Sequence, residues 1–329
     1  MLKRHERNPI LRAHSDLPWC SIKVYNPAIS YDGQKYHMLF RGIGDDWVSR
    51  IGYAESPNGL DFHLLPFPVL SPSYPWESAG CEDPRIIFID GRYWITYTAF
   101  DGHTARAALT SSRDLVNFNE RRLLFPNWDQ SAREGFPLDW SKGGAIFPQK
   151  INNKYYMLFG DSHIWIAESD DMVDWTPIID PVLTNRPDNF DTVYVETGPP
   201  PILTDRGWLV IYHGVDRLDA KMTYRIGAFI SDTNDPRKVL WRCSQPLTEP
   251  QESYEKIGFI DVIDGGFETL KKLVVEDLHR LSAEDKLPKA IFCCGAILDK
   301  DQNELRIYYG AGDTVICTGT IKLEEIFSL

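Results

Sequence analysis

Several short stretches of this chain hold charged side chains where packing would ask for apolar ones. Glu82-Asp83-Pro84-Arg85 interrupts an otherwise apolar strand pattern, CEDPRIIFI over 81–89. Buried carboxylates are costly unless they are paired or functional, so the acid pair suits either an Asp83–Arg85 or Glu82–Arg salt bridge or acid chemistry. Strand alternation sends Glu82 and Asp83 to opposite faces, so only one of them need face a site. Glu196, in VETGPPPIL over 195–203, holds a comparable place later in the chain. Two facing carboxylates suit glycoside chemistry, one protonating the leaving oxygen and the other activating water.

The cations form a second set. Lys142 follows Trp140-Ser141, His213 ends the strand WLVIYHG, and Arg41 occupies the position equivalent to His213 in an earlier segment. Taken singly, such a lysine is more often a solvated rim residue and such a histidine a satisfied core residue. Brought together around one axis they would converge, and an anion is the natural guest. Arg106, Arg133, Tyr224 and Arg225 could add donors. The chain has no GxSxG, no GxxxxGK[ST], no HExxH and no GxGxxG after a strand, so serine hydrolase, NTPase, zincin and dinucleotide-binding readings have no support.

A repeat supplies the elements that could bring these residues together. A turn with Gly, Asp or Asn precedes an aromatic strand five times: DGQKYHMLFRG (32–42), DGRYWITYTAF (90–100), NNKYYMLFGDS (152–162), DRGWLVIYHGV (205–215) and QNELRIYYGAG (302–312). Aligned on Tyr36, Tyr93, Tyr155, Trp208 and Leu305, the copies stand 57, 62, 53 and 97 residues apart. That period, with several strands per unit, predicts an all-β, five-bladed β-propeller built as one domain over 1–329. The strand upstream of each aromatic copy, innermost in such a fold, opens with polar or small residues, and there an axial site would lie. The last interval is enlarged by ETLKKLVVEDLHRL (268–281), whose leucines recur at helical spacing. An amphipathic helical insertion at about 262–288 follows, with packing on the propeller as its default role and a homo-oligomer contact or pocket rim behind it.

Composition narrows the partners. A net charge of −12 argues against nucleic acid, and any anion bound here needs a local positive island. Aromatics at 12 % suit both blade packing and sugar faces, with packing expected for most of them. The six cysteines form no CxxC pair and no metal spacing, which predicts reduced thiols and no metal site. With no signal-peptide core and no membrane-length apolar run, the expectation is a soluble, cytoplasmic protein.

Taken together, YNPAI (25–29), EDPRI (82–86), TYTAFDG (96–102), WSKGGAIFP (140–148), VETGPPPILT (195–204), YHGV (212–215), YRIGA (224–228) and YYGAGDT (308–314) resemble family 130 of the glycoside hydrolases. These are inverting β-mannoside phosphorylases and hydrolytic relatives on five-bladed propellers, and the matching stretches run in family order through most of the chain. The resemblance implies that Asp83 is the proton donor, acting through a mannose hydroxyl, while inorganic phosphate attacks the anomeric carbon from the opposite face. It implies a phosphate site of Lys142, His213 and Tyr224 completed by an arginine, Arg133 first and Arg106 second. Asn26, Arg41 and Asp313 fall on mannose-binding positions, with Glu196 on the same central wall. The implied reaction releases α-mannose 1-phosphate from β-1,4- or β-1,2-linked mannosides and uses no cofactor beyond phosphate as co-substrate. A β-mannosidase using water and a non-catalytic mannoside-binding propeller are the competing readings.

Overall fold

Each aromatic repeat begins the second strand of an antiparallel group. The computed structural model describes residues 1–128, 140–216, 222–256 and 289–329. In the first group, β2 (Lys23–Tyr31), β3 (Tyr36–Ile43), β4 (Ser49–Ser56) and β5 (His63–Leu64) follow one another in order. The second group holds β6 (Gly80–Ile89), β7 (Arg92–Phe100), β8 (Ala105–Ser112) and β9 (Arg122–Leu123). The third holds β10 (Ala145–Ile146), β11 (Tyr155–Phe159), β12 (Ile164–Ser169) and β13 (Thr176–Leu183). In the fourth, β14 (Tyr194–Thr197) and β15 (Ile202–Thr204) share one partner, β16 (Gly207–Asp216), which continues to β17 (Thr223–Ser231) and β18 (Val239–Arg242). The fifth runs β19 (Ile291–Asp299), β20 (Glu304–Ala311) and β21 (Val315–Lys322), and β1 (Lys3–Arg4) from the N-terminal end pairs onto β21.

A single parallel pairing, Ser49 with Gly80, joins the first two groups into one eight-stranded sheet. The first strands of three groups approach one another, β2 packing against both β6 and β19.

The polar turns that end the third strands have a common cause. Ser56, Ser112 and Ser169 each accept, on Oγ, the N–H of the residue three positions on, at 3.0, 2.8 and 3.0 Å. Those residues are Gly59, Leu115 and Met172, at φ of 73°, 60° and 69°. A left-handed Leu or Met is strained, and here burial of the side chain offsets the strain. Large aromatics fill the space between groups: Trp208 on β16 meets Phe147, just past β10, edge to face at 5.3 Å.

Among the described residues the one α-helix is short, α1 (Leu323–Ile326). The helical insertion expected at 262–288 lies outside the described residues, as does Arg133. No described helix is long and apolar enough to cross a membrane. All six cysteines are buried and free.

Candidate active site

Two first strands break their ladders at the same place. Asn26 and Asp83 each precede a proline and each has positive φ, 48° and 46°. Register shifts between Tyr25 and Ala28 and between Glu82 and Arg85 mark the bulges. Proline brings no ladder N–H and an Asx residue tolerates the left-handed region, so Asn-Pro and Asp-Pro are suited to such breaks. The bulge corrects the expectation from alternation, because Glu82 and Asp83 both line one cavity instead of facing apart.

Asn26 donates Nδ2–H to Asp83 Oδ1 at 2.8 Å. Arg41, on β3, donates to Glu82 Oε1 at 2.5 Å and reaches Asp83 Oδ1 at 3.4 Å, while its Nε bonds Ser49 Oγ at 2.9 Å. Glu82 is thus the main ion-pair partner of an arginine, as the sequence allowed, but that arginine is Arg41. Burial opposes ionisation of Asp83, yet Arg41, Arg85 and Lys142 outweigh it and hold this carboxyl below the usual range. Burial pushes the Glu82 carboxyl up, Arg41 opposing and the charge of Asp83 adding. Between these two carboxyls a shared proton therefore favours Glu82 over Asp83.

A second part of the lining is built around Lys142. Its Nζ lies 3.1 Å from Glu196 Oε2 and 4.0 Å from Asp161 Oδ2, and 5.6 Å from the Trp140 ring centroid. Burial alone would drive the ammonium towards neutrality, but Glu196 and Asp161 raise its pKa above the ordinary lysine value. Burial in turn raises the Glu196 carboxyl against the pull of Lys142 and Arg85. It pushes Asp161 up to about 7 against Lys142. One cation is therefore shared by two carboxyls that are reluctant to ionise together.

Of the other expected residues, Tyr224 and Asp313 line the same cavity as Asn26, Arg41, Asp83, Lys142 and Glu196. The Tyr224 hydroxyl is hydrogen-bonded to that of Tyr194. His213 is fully buried and lies behind the lining: it stacks on Phe292, a lining residue, at 3.8 Å between ring centroids, and its Nε2 accepts the Cys293 N–H at 2.8 Å. Burial, with Arg85 and Lys142 nearby, holds this imidazole well below its usual pKa, so it is neutral. Arg106 lies on β8 beside the lining residue Ala105, and its own side chain is not part of the lining.

Asp161 was missed by sequence reasoning. Where other groups read Arg41-Gly42 and His213-Gly214, the third reads Gly160-Asp161, with small and charged residues exchanged. Gly160 takes φ 106°, and its N–H bonds the Lys142 carbonyl at 2.7 Å, which brings Asp161 to the lysine. The exchange itself was the available signal.

Chemically, the cavity offers a carboxyl that can carry a proton, a lysine cation in the same lining, and aromatic side chains at Trp47, Phe100 and Trp140. That combination suits acid-assisted cleavage of a sugar linkage with an anion as the second reactant.

Comparison with known proteins agrees with this geometry. The glycoside hydrolase family 130 model, described as beta-1,4-mannooligosaccharide phosphorylase, matches residues 2–265. A 1,2-beta-oligomannan phosphorylase of Thermoanaerobacter sp. strain X514 is 34 % identical over 99 % of this chain and 98 % of its own length. A beta-1,2-mannobiose phosphorylase of the same organism is 31 % identical with the same coverage. Among solved structures, the beta-1,2-mannobiose phosphorylase of Listeria innocua, in complex with beta-1,2-mannobiose, aligns with a TM-score of 0.78 and 25 % identity. That alignment covers 99 % of this chain and 98 % of the other.

Proposed function

The chain belongs to glycoside hydrolase family 130, and on that premise we propose that it is a β-mannoside phosphorylase that cleaves its substrate with inversion. The enzyme transfers a mannosyl group from a β-mannoside to inorganic phosphate. Phosphate and the mannoside are its only proposed small-molecule partners, and the reaction calls for no cofactor. The observation that carries the reading is the Lys142 ammonium on the wall of the cavity that also holds Asp83. A dianionic nucleophile needs such a cation, whereas water needs a free carboxylate base, and Glu196 is engaged by Lys142 at 3.1 Å.

In the proposed reaction, Asn26, Arg41 and Asp313 hold the mannose ring, with Glu196 on the same wall. Lys142 and Tyr224 receive phosphate, His213 supports that side as a neutral imidazole behind Phe292, and Arg106 or Arg133 completes it. Phosphate forms a bond to the anomeric carbon as the glycosidic bond breaks, and the proton of Asp83 passes through a mannose hydroxyl to the leaving oxygen. The proton of hydrogenphosphate restores Asp83, so protons balance over the cycle. Arg41, Arg85 and Lys142 favour the carboxylate form of Asp83. An arriving phosphate offsets part of this positive charge and so favours the protonated acid.

For the substrate, we favour a β-1,2-linked mannobiose or oligomannan. The support is the relatives at 34 % and 31 % identity, both phosphorylases of β-1,2-linked mannosides; the family description names the β-1,4 linkage instead. The five strand groups are read as blades of one propeller over 1–329, supported by the return of β1 to β21 and by the packing of β2 against β6 and β19. Six free, buried cysteines fit a reducing, cytoplasmic setting.

The test is incubation with β-1,2- and β-1,4-mannobiose, each in phosphate and in phosphate-free buffer. Mannose 1-phosphate should form only with phosphate and faster from the β-1,2 disaccharide. Equal release of mannose in both buffers would establish the water-using mannosidase instead, and binding without turnover a sugar-binding propeller. Synthesis in reverse, from mannose 1-phosphate and a panel of acceptors, then fixes the linkage by the product made.

A further inference from the structure

Arg85 is 2 % exposed and is among the largest fully buried side chains. Its Nη1 donates to the Asp83 carbonyl at 2.9 Å, its Nη2 to the Thr197 carbonyl at 2.6 Å and its Nε to the Gly198 carbonyl at 3.2 Å. Two strand groups are thereby fastened together by one side chain. The acceptors stand where regular pairing ends: Asp83 lies in the bulge of β6, and Thr197 and Gly198 stand at the end of β14 before three prolines. Without the guanidinium these carbonyls would be buried with no donor from Arg85, each at a cost comparable to a lost hydrogen bond.

The bulge alone does not require an arginine. Asn26-Pro27-Ala28 makes the same left-handed break in the first group, with Ala28 at the place of Arg85. Burying a cation among carbonyls is expensive when an alanine serves the same backbone turn. What Arg85 adds is a fixed distance between the strand that carries Asp83 and the strand that carries Glu196, together with a positive charge facing both carboxyls. Both residues line the cavity, one on each of the strands Arg85 joins.

We infer that Arg85 is a positioning residue for the reaction: it fixes the Asp83 carboxyl in register with the Glu196–Lys142 wall without itself touching substrate. The inference rests on the phosphorylase reading above. A displacement of about 1 Å at a reacting group can cost about 100-fold in rate. Loss of the fork should therefore fall on kcat rather than on the binding of phosphate.

The experiment compares wild type with Arg85→Lys, which keeps the charge but not the fork, and Arg85→Met, which keeps neither. Initial rates of mannose 1-phosphate formation are measured over a range of phosphate concentration and of pH, with melting temperatures as the control on folding. The expected result is a fall in kcat of about 100-fold in Arg85→Met, with KM for phosphate changed only a few-fold and part of the rate recovered in Arg85→Lys. The pH profile separates positioning from mere support of the fold. Arg85 favours the Asp83 carboxylate, so removing its charge makes the acid hold its proton to higher pH. The alkaline limb of kcat then moves up in Arg85→Met and stays near wild type in Arg85→Lys. If Arg85→Met does not fold, the kcat and KM split in Arg85→Lys carries the test. Folded variants with kcat within about threefold of wild type, or a rate loss with an unmoved alkaline limb in Arg85→Met, would overturn the inference. Absence of mannose 1-phosphate from the wild type would overturn the phosphorylase reading and is a separate outcome.

Discussion

Asn26 and Asp83 meet across two adjacent strand groups, 57 residues apart in sequence, at the same left-handed break of their strands, and Asn26 Nδ2 donates to Asp83 Oδ1 at 2.8 Å. The bond favours the carboxylate form of Asp83. Replacing Asn26 by Ala removes it, so Asp83 should hold its proton to higher pH and the alkaline limb of kcat should move up. Asn26 is also proposed to hold the mannose ring, and a neutral hydrogen bond contributes about 0.5–1.5 kcal/mol, so kcat/KM for the mannoside should fall by about 2- to 10-fold. Steady-state kinetics against pH check both parts, and an unmoved limb would detach Asn26 from the acid.

Asp83→Asn tests the acid more directly. The amide can still accept the Asn26 donor through its oxygen, so the bulge should survive and the melting temperature should stay close to that of wild type. General acid catalysis contributes typically 10²–10⁴-fold, roughly the loss expected with mannobiose. A para-nitrophenyl β-mannoside, whose leaving group needs little protonation, should lose much less. Equal losses on both substrates would place the role of Asp83 elsewhere.

Much of this architecture could be read from the chain because packing repeats its demands. The aromatic or leucine that starts each second strand recurs at Tyr36, Tyr93, Tyr155, Trp208 and Leu305, and all five begin or nearly begin β3, β7, β11, β16 and β20. The cavity also gathers Asn26, Arg41, Asp83, Lys142, Glu196, Tyr224 and Asp313, residues drawn from every group. Backbone detail was less legible. Strand alternation separates Glu82 from Asp83, and only the φ of 46° at Asp83 brings them together. Asp161 was hidden because Gly160 holds its aligned place, and two of the three acceptors of Arg85 lie 112 and 113 residues away. His213 shows a different limit: its strand position suggested the wall, but it lies behind the lining, stacked on Phe292, and residue type alone did not reveal that.

Asp161 gives a stability signature with a definite sign. Its carboxyl titrates at about 7 in the folded protein against an ordinary 3.8. The native state therefore holds this proton more tightly than the unfolded chain does. The stabilisation is complete below about pH 4 and is lost as pH rises through 7. Asp161→Asn carries no such proton, and subtracting the variant from wild type cancels the titrations of groups that Asp161 does not touch, Glu82 and His213 among them. Wild type should lose on the order of 3 kcal/mol relative to Asp161→Asn between pH 4 and pH 8. Urea unfolding at several pH values measures it, and a difference that is flat with pH would exclude the shifted carboxyl.

Lys142 should show opposed effects on binding and stability when its partner is changed with it. Lys142→Met removes the cation from a buried pair and leaves Glu196 and Asp161 without the ammonium they share, which typically costs about 3–5 kcal/mol. It also removes the charge proposed to receive phosphate, so KM for phosphate should rise at least about tenfold. Adding Glu196→Gln neutralises the stranded carboxylate and should restore part of the stability. It cannot restore the phosphate affinity, because no cation returns to that wall. Unfolding midpoints and phosphate saturation curves for both single variants and the double variant close the cycle. Recovery of phosphate affinity in the double variant would mean that Lys142 acts only as the counter-ion of Glu196, and the nucleophile site would then have to be sought away from it.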